Sequence, residues 1–318
     1  MSLNRPIWKL RDWIDVEKLD LMMLSYNKNV IQLLEENPEK INWKHLALNP
    51  NAISLIEEKI LEKGLNEIDW DYLSFNKNAI HLLKKNPENI SWKNLALNTN
   101  AIKLIENNID LESLSLNPNT IKLLKNNLHY IDWVYLSLNK NAINLLKENP
   151  EKINWSYLSG NENAINLLEK NQDKIDWHRL SYNKNAIHLL EKNPEKINWE
   201  NLSRNKNAIH LLESNPNKIN WYELSRNKNA IHLLEKNPEK INWEHLSRNK
   251  NAISLLKKNQ DKIDWYYLSA NPSIFELDYE KMRENNQDMY EDLIKEVMKP
   301  SRVFKNPDYD YLEELFGD

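Results

Sequence analysis

The sequence of 318 residues contains no cysteine and only three glycines. Without cysteine the chain can form no disulfide, thiolate nucleophile or cysteine-based metal site. It also lacks an apolar run of membrane length, and the N-terminal segment 1–20 contains no apolar signal-peptide core. We therefore expect a soluble intracellular protein that is not secreted.

Strong charge of one sign is missing from most of the chain. The formal net charge is −4, and residues 271–318 hold 13 Asp/Glu against 6 Lys/Arg, so the rest of the chain is close to neutral. A near-neutral body argues against a membrane surface and disfavours nucleic acid, since binding to either depends on clustered basic residues.

Signatures of catalysis are also absent. The sequence has no glycine-rich phosphate loop, no HExxH and no GxSxG. Each unusual residue type recurs as a series along the chain, whereas an active site requires a singular constellation. The sequence thus predicts a protein that is not an enzyme and has no cofactor and no bound metal.

What the sequence does contain is one short unit that occurs twelve times. From Trp133 onward a tryptophan stands at every twenty-second position, but one earlier step is five residues longer and another is three shorter. Self-similarity at such a period is typical of a solenoid. The tryptophan slot, which numbers the copies from 1 to 12, holds Leu21, Trp43, Trp70, Trp92, Leu111, Trp133, Trp155, Trp177, Trp199, Trp221, Trp243 and Trp265.

Each copy reads as two short helices. Asn242 precedes Trp243 and occupies a slot that holds only Asn, Asp or Ser, the residues that cap helix N-termini. Asn249 is predicted to cap the second helix, which Asn-Pro ends in other copies. Helices of two turns are too short to be stable alone and must bury their apolar stripes on the next copy. At about 8–10 Å per copy, we expect a rod or arc on the order of 100 Å long.

The complete prediction is an all-α solenoid with a cap at each end. Residues 1–20 form the N-terminal cap, 21–277 the repeats, and 278–318 a capping helix, at about 278–299, with an acidic tail. In the longest step, Gly64 is expected to stop an extended second helix.

One string, L-S-x-N-x-N-A-I-x-L-L-E-x-N-P-x-K-I-N/D-W, carries a family resemblance. It occurs as LSYNKNAIHLLEKNPEKINW at 180–199, and the flanks WKLRDWIDVEKLDL and MKPSRVFKNPDYDYLEEL fit as well. The chain resembles the short Asn/Trp repeat proteins of giant DNA viruses related to mimivirus. That resemblance implies an α-helical repeat protein of unassigned biochemical role in the cytoplasm of an infected cell or in a virion, and it carries over no functional residues.

Because each slot recurs once per copy, each slot forms a ladder along the solenoid. The tryptophans could stack bases, but their place on the apolar stripe favours core packing. The asparagines in the slot of Asn249 could read bases, although capping accounts for them. A second asparagine, two residues later, suggests a bond to the turn of the neighbouring copy. His188, His210 and His232 form a stripe whose spacing is too wide for one zinc ion, which favours a solvated face.

Two slots in the first helix are candidates for binding a partner. The slot two residues after tryptophan carries Tyr, His and Arg, which are common in interfaces when they face solvent. The slot five residues after tryptophan is apolar in the earlier copies and becomes arginine in later ones. The guanidinium groups of these arginines are either solvated or paired with a neighbouring glutamate, or they form an array that binds carboxylates or phosphates. The candidate residues are Tyr72, Tyr135, Tyr157, Arg179, His245, Tyr267, Arg204, Arg226 and Arg248.

These features lead to three hypotheses. The first is a non-enzymatic scaffold that binds a protein partner along one face of the solenoid. The second is a virion or assembly component that stacks with itself. The third is a protein that binds single-stranded nucleic acid, one base per copy.

Overall fold

The computed structural model describes residues 6–105, 113–284 and residue 295, and it confirms an all-α solenoid of regularly repeating helix pairs. The helical copies belong to a unit formed by Arg11–Ile274. A second unit contains a short antiparallel strand pair, β1 at Trp8–Leu10 and β2 at Phe275–Leu277, followed by helical residues 279–284. The strand pair was not predicted. Most of the predicted C-terminal helix and the acidic tail lie outside the described residues.

The first helix of each copy begins at the tryptophan slot because the residue before it is a helix cap. The cap side chain accepts the backbone amide of the third helical residue in ten of the eleven copies whose cap is described, and Ser91 is the exception. The predicted capping is therefore confirmed. The first helices are Leu21–Ser25, Trp43–Leu46, Trp70–Phe75, Trp92–Leu95, Ser113–Leu116 as a 3₁₀ helix, Trp133–Leu138, Trp155–Ser159, Trp177–Tyr182, Trp199–Arg204, Trp221–Leu224, Trp243–Ser247 and Trp265–Ser269.

The second helix begins later than predicted, and Asn249 does not cap it. Its Oδ1 accepts the amide of Asn251 at 3.2 Å, which makes an Asx turn, and the helix starts at Ile253 without a side-chain cap. Gly64, with φ of 81°, ends the longest second helix as predicted. The second helices are Ile31–Glu35, Ile53–Lys63, Ile80–Lys85, Ile102–Ile105, Ile121–Lys125, Ile143–Glu148, Ile165–Glu169, Ile187–Lys192, Ile209–Ser214, Ile231–Glu235 and Ile253–Lys258.

A third element, a 3₁₀ turn that was not predicted, precedes every copy whose connection lies within the described residues. In most copies it is Pro-x-Lys or Gln-Asp-Lys, preceded by an asparagine such as Asn193, whose Nδ2 donates to the carbonyl of Leu189 at 2.9 Å. This bond occupies a carbonyl that the end of the second helix would leave unpaired. These 3₁₀ turns are Val16–Lys18, Pro38–Lys40, Leu65–Glu67, Pro87–Asn89, Leu128–Tyr130, Pro150–Lys152, Gln172–Lys174, Pro194–Lys196, Pro216–Lys218, Pro238–Lys240 and Gln260–Lys262, and a further one, Pro272–Ile274, follows the first helix of copy 12.

The core is an aliphatic ladder rather than a tryptophan ladder. In copy 8, Leu180, Ala186 and Leu190 are completely buried, and their equivalents in other copies are similarly buried. The indole of Trp177 is only partly buried, and Lys196 of the next copy lies over it, with Nζ 4.6 Å from the ring centroid. The expectation that the tryptophans form the core is thus corrected: the indoles cover the edge of the aliphatic core, and seven of the ten tryptophans in the slot receive a cation–π contact.

Consecutive copies are joined through the buried asparagine that precedes the second helix. In copy 8, Nδ2 of Asn183 donates to the carbonyls of Ser159 and Asn161 in copy 7, at 3.1 and 3.0 Å. A second asparagine, Asn185, donates to the carbonyl of Glu162 at 2.9 Å. The predicted bond from the second asparagine to the neighbouring turn is confirmed here and in ten other copies.

The same bonds join the last copy to the first, so the solenoid closes on itself. Nδ2 of Asn27 in copy 1 donates to the carbonyls of Ser269 and Asn271 in copy 12, at 3.1 and 3.0 Å. Asn29 donates to the carbonyl of Pro272 at 3.1 Å, and Lys18 lies 5.2 Å from the ring centroid of Trp265. The expectation of an open rod or arc is wrong, because the twelve copies form a closed ring.

The first helices line the inside of this ring. Cα atoms of consecutive first helices approach within 8 Å more often than those of consecutive second helices. If the layers of first and second helices were stacked along the ring axis, the spacing between consecutive copies would be the same in both layers. The spacing differs, which indicates that the layers are concentric and that the layer with the smaller spacing lies inside. We call the residues one and two positions after the tryptophan slot the inner wall.

The ends of the repeat region differ from the predicted caps. Residues 16–20 contact copy 12 in the way that each 3₁₀ turn contacts the preceding copy: the amide of Asp20, for example, donates to Ser269 Oγ at 2.8 Å. Arg11 donates its amide to the carbonyl of Ile274 at 2.9 Å, which joins the two ends of the repeat unit. Residues 11–20 therefore join the two ends of the repeat unit.

A serine in the first helix adds a third link between copies. Ser203 Oγ accepts the amide of Asn220, the cap of the next copy, at 2.9 Å, and donates to the carbonyl of Trp199 at 2.7 Å. Alanine replaces this serine only at Ala47 and Ala96. After each of these two copies, the distance to the next tryptophan slot differs from the regular period. The serine hydroxyl is therefore missing from the copies in which the next cap residue lies at a different distance along the chain.

Ring closure predicts that Asn27→Ala destabilises the protein as much as the interior substitution Asn183→Ala. Each change removes two hydrogen bonds between copies and leaves buried carbonyls unpaired, which we expect to cost about 2–4 kcal/mol. Urea unfolding followed by circular dichroism measures both. In an open solenoid Asn27 would have no preceding copy, so a near-neutral Asn27→Ala beside a costly Asn183→Ala would contradict closure.

The serine link predicts that Ser203→Ala costs about 1–3 kcal/mol, because the amide of Asn220 loses its acceptor. The reverse change Ala47→Ser is the matched control and should give no gain, since the long step places the next cap, Asp69, farther along the chain than Asn220 is from Ser203. Urea midpoints of the two variants provide the measurement. If Ala47→Ser stabilised the protein by as much as Ser203→Ala destabilises it, the hydroxyl would act only within its own helix.

Candidate partner-binding surface

The nine residues singled out from the sequence lie on two neighbouring surfaces. Six of them, Tyr72, Tyr135, Tyr157, Arg179, His245 and Tyr267, belong to the inner wall. The three arginines Arg204, Arg226 and Arg248 belong to what we call the turn belt. The turn belt comprises the residues five to eight positions after the tryptophan slot, which run from the end of the first helix towards the second: 26–29, 48–51, 75–78, 97–100, 116–119, 138–141, 160–163, 182–185, 204–207, 226–229, 248–251 and 270–273.

Most of these side chains contact a neighbouring copy. The Arg179 guanidinium lies 4.2 Å from the ring centroid of Tyr157, and that of Arg248 lies 3.7 Å from the ring centroid of Tyr267. Tyr135 remains exposed at 43%. The inner wall is therefore largely an array of cation–π and aromatic contacts that pack one copy against the next.

The expectation that the slot of His245 faces solvent is wrong for this residue, because its side chain is completely buried. Its ring lies 3.9 Å from that of Tyr222, and its Nδ1 lies 2.9 Å from the Tyr222 carbonyl. Arg226 contacts its Nε2. Burial follows from the large side chains at these neighbouring slots, which the pattern within one copy does not reveal.

One carboxylate on the inner wall is held between two arginines. Glu223 lies 3.8 Å from Arg204 Nε and 3.9 Å from Arg226 Nη1, and its Oε2 is buried without a hydrogen-bond partner. Two of the three predicted arginines are thus paired with glutamate, as one of the two sequence-based interpretations expected.

The histidine stripe lies on the second helices and contacts carboxylates between copies. His188, His210 and His232 each place Nε2 2.7–2.8 Å from a glutamate of the preceding copy. Across the described residues, no group of three or more His, Asp or Glu is placed to hold a metal ion. These pairs sit on partly exposed side chains and contribute about 0–1 kcal/mol each.

Among the described residues, three ionisable groups have clearly shifted pKa values. Burial raises the pKa of Tyr26, and the nearby Tyr72 and Tyr266 raise it further. The charge of Glu244 raises the pKa of Tyr267. Burial alone would raise the pKa of Asp176, but hydrogen bonds from Ser156 and from the Arg179 amide lower it overall.

The sequence analysis missed the apolar part of the turn belt. The slot five residues after tryptophan carries Leu48, Phe75, Leu97, Leu116 and Leu138 in copies 2 to 6, a set that we call the apolar arc. Phe75 is 48% exposed and Leu138 39%. An open groove of about 260 Å³ runs over three of these residues and is also lined by belt residues Pro50, Lys77 and Thr99. The signal for this arc in the sequence is the run of apolar residues in one slot of copies 2 to 6.

No protein-family model, no curated protein and no solved structure matches the chain. Along the part of the chain that the structure describes, no helix combines the length and the apolar character needed to cross a bilayer.

The raised pKa of Tyr26 predicts a loss of stability at alkaline pH. The folded chain holds this proton more tightly than the unfolded chain, so the stabilisation is complete below pH about 10 and decreases as pH rises above it. When the pH rises from 8 to 10.5, the urea concentration at the midpoint of unfolding should decrease less for Tyr26→Phe than for the wild type. Tyr182→Phe, at an exposed belt residue, should follow the wild type. Parallel curves for wild type and Tyr26→Phe would contradict this assignment.

Proposed function

We propose that the protein is a non-enzymatic helical-repeat scaffold that binds a protein partner on the turn belt. The observation that carries the proposal is the apolar arc, in which Phe75 and Leu138 expose large apolar side chains and Phe75 lines the groove. Exposed apolar patches with a polar rim are typical of protein interaction sites. The partner would contribute apolar anchor side chains to the groove between Leu48, Phe75 and Leu97.

The backbone beneath the arc supports the proposal because it is fixed before any partner arrives. The Lys77 carbonyl accepts Nδ2 of Asn100, and the Asn76 carbonyl accepts Nδ2 of Asn98, both at 3.0 Å. A rigid surface loses little conformational entropy on binding, and this raises affinity. The inner-wall residues Tyr157, Arg179 and His245 are a weaker candidate, because contacts between copies already occupy them.

Self-association of the kind expected from an assembly component has less support. The ends of a solenoid are the surfaces on which a further copy would stack, and here copies 1 and 12 cover each other. The proposal keeps the origin and location implied by the family resemblance, namely a soluble protein in a virus-infected cell.

The test compares proteins captured by the full chain with those captured by two variants. Phe75→Asp combined with Leu138→Asp should reduce recovery of the partner more than tenfold, because the apolar arc then carries two unpaired charges, one of them in the groove. Leu61→Asp is the matched control, since Leu61 is 87% exposed on a second helix and lies outside the belt. Quantitative mass spectrometry reports recovery. Identical profiles for wild type and the double variant would overturn the proposal.

A further inference from the structure

The turn belt carries charge of almost one sign. In the first and third positions of its segments, ten residues are Lys or Arg and only Glu162 is acidic, and Glu162 pairs with Lys184. The positive charge is densest in copies 9 to 11, where each belt segment reads Arg-Asn-Lys-Asn. We call this set the basic arc: Arg204, Lys206, Arg226, Lys228, Arg248 and Lys250.

The lysines of the basic arc are free to bind a partner. Lys206, Lys228 and Lys250 are exposed, and none forms an ion pair with a described carboxylate. The arginines beside them are engaged, Arg204 and Arg226 with Glu223 and Arg248 with Tyr267. The near-neutral composition of the body therefore conceals a local cationic surface.

Hydrogen bonds between copies fix the spacing of these lysines. The carbonyls of Lys206 and Lys228 accept Nδ2 of Asn229 and Asn251, each at 2.9 Å. Lys206 and Lys228 thus project from backbone positions that are tied to the next copy. Equivalent positions in adjacent copies lie about 8–10 Å apart.

We propose that the basic arc binds an extended acidic protein segment in the polyproline II conformation, with a carboxylate at every third residue. A polyproline II helix has three residues per turn and rises about 9 Å per turn, so every third side chain lies on one face at the spacing of the copies. A β-strand places same-face side chains about 6.7 Å apart and would lose register after two copies. The inference rests on the proposed protein binding and adds the chemical class of the partner.

A single strand of nucleic acid is the competing ligand for a cationic surface, but the apolar arc on the same belt favours protein. The belt places exposed Phe75 and Leu138 beyond one end of the cationic stretch. Apolar anchors of this kind suit a protein that continues past its acidic segment.

The experiment measures fluorescence anisotropy of labelled peptides with the full chain at 50 mM salt. The probe is (Asp-Pro-Pro)₅, and the comparison peptide has the same composition with its five aspartates consecutive. We expect the spaced peptide to bind at least fivefold more tightly than the block peptide. Lys206→Glu, Lys228→Glu and Lys250→Glu together should weaken its binding at least tenfold.

The control variant carries the same change of charge at exposed lysines of second helices and their ends: Lys192→Glu, Lys236→Glu and Lys258→Glu. It should bind the spaced peptide within twofold of the wild type, and circular dichroism should show unchanged helix in both triple variants.

Three results would overturn the inference: equal binding of the two peptides, equal effects of the two triple variants, or tighter binding of a 12-nucleotide oligouridine than of either peptide. If the inference fails while Phe75→Asp with Leu138→Asp still abolishes partner capture, the proposed function stands and only the class of partner is wrong. If oligouridine binds and the double variant changes nothing, both proposals fail.

Discussion

The whole ring depends on one buried amide group per copy. The side chain of the asparagine before the second helix is at most 3% exposed, and its nitrogen donates to two carbonyls of the preceding copy in all twelve copies. Its oxygen accepts the amide two residues later, as Asn183 does for Asn185. No other side chain of this size presents a double donor and an acceptor in this arrangement, because aspartate has no donor and leucine has neither group. The turn conformation and the contact to the neighbour are therefore set by the same side chain.

This constraint also determines which residues are left for function. Helices of four to six residues cannot persist alone, so each copy uses its conspicuous side chains to bind the next copy. The indole of Trp177 lies under Lys196, Arg179 stacks on Tyr157, and His188 pairs with Glu169. Residue types that often mark a binding site here serve mainly as contacts between copies. The turn belt differs, because its backbone makes those contacts while side chains such as Phe75 and Lys206 project outward.

The copies that depart from the regular period show which local features change together and which stay constant. The long step after copy 2 ends its second helix at Gly64, whose positive φ replaces the asparagine that ends other second helices. The copy that precedes this step has Ala47 where a serine would normally accept the next cap amide. The amide bonds of Asn76 to the carbonyls of Ala47 and Asn49 nevertheless persist, at 2.8 and 3.0 Å. Insertions are thus accommodated in the second helix and the connection, while the asparagine contact stays constant.

The sequence by itself determined the period, the number of copies, the cap before each tryptophan and the existence of a bond from the second asparagine. Each of these follows from short-range chemistry that recurs in every copy, as Asn242 and Asn251 illustrate. Only the tertiary structure decided that Asn27 meets copy 12, that His245 is buried and that the first helices line the inside. Closure requires a mean rotation of about 30° per copy with no net rise, and a few degrees of difference would produce an open spiral instead. That angle is the sum of many weak contacts between copies, so no single slot in the sequence encodes it.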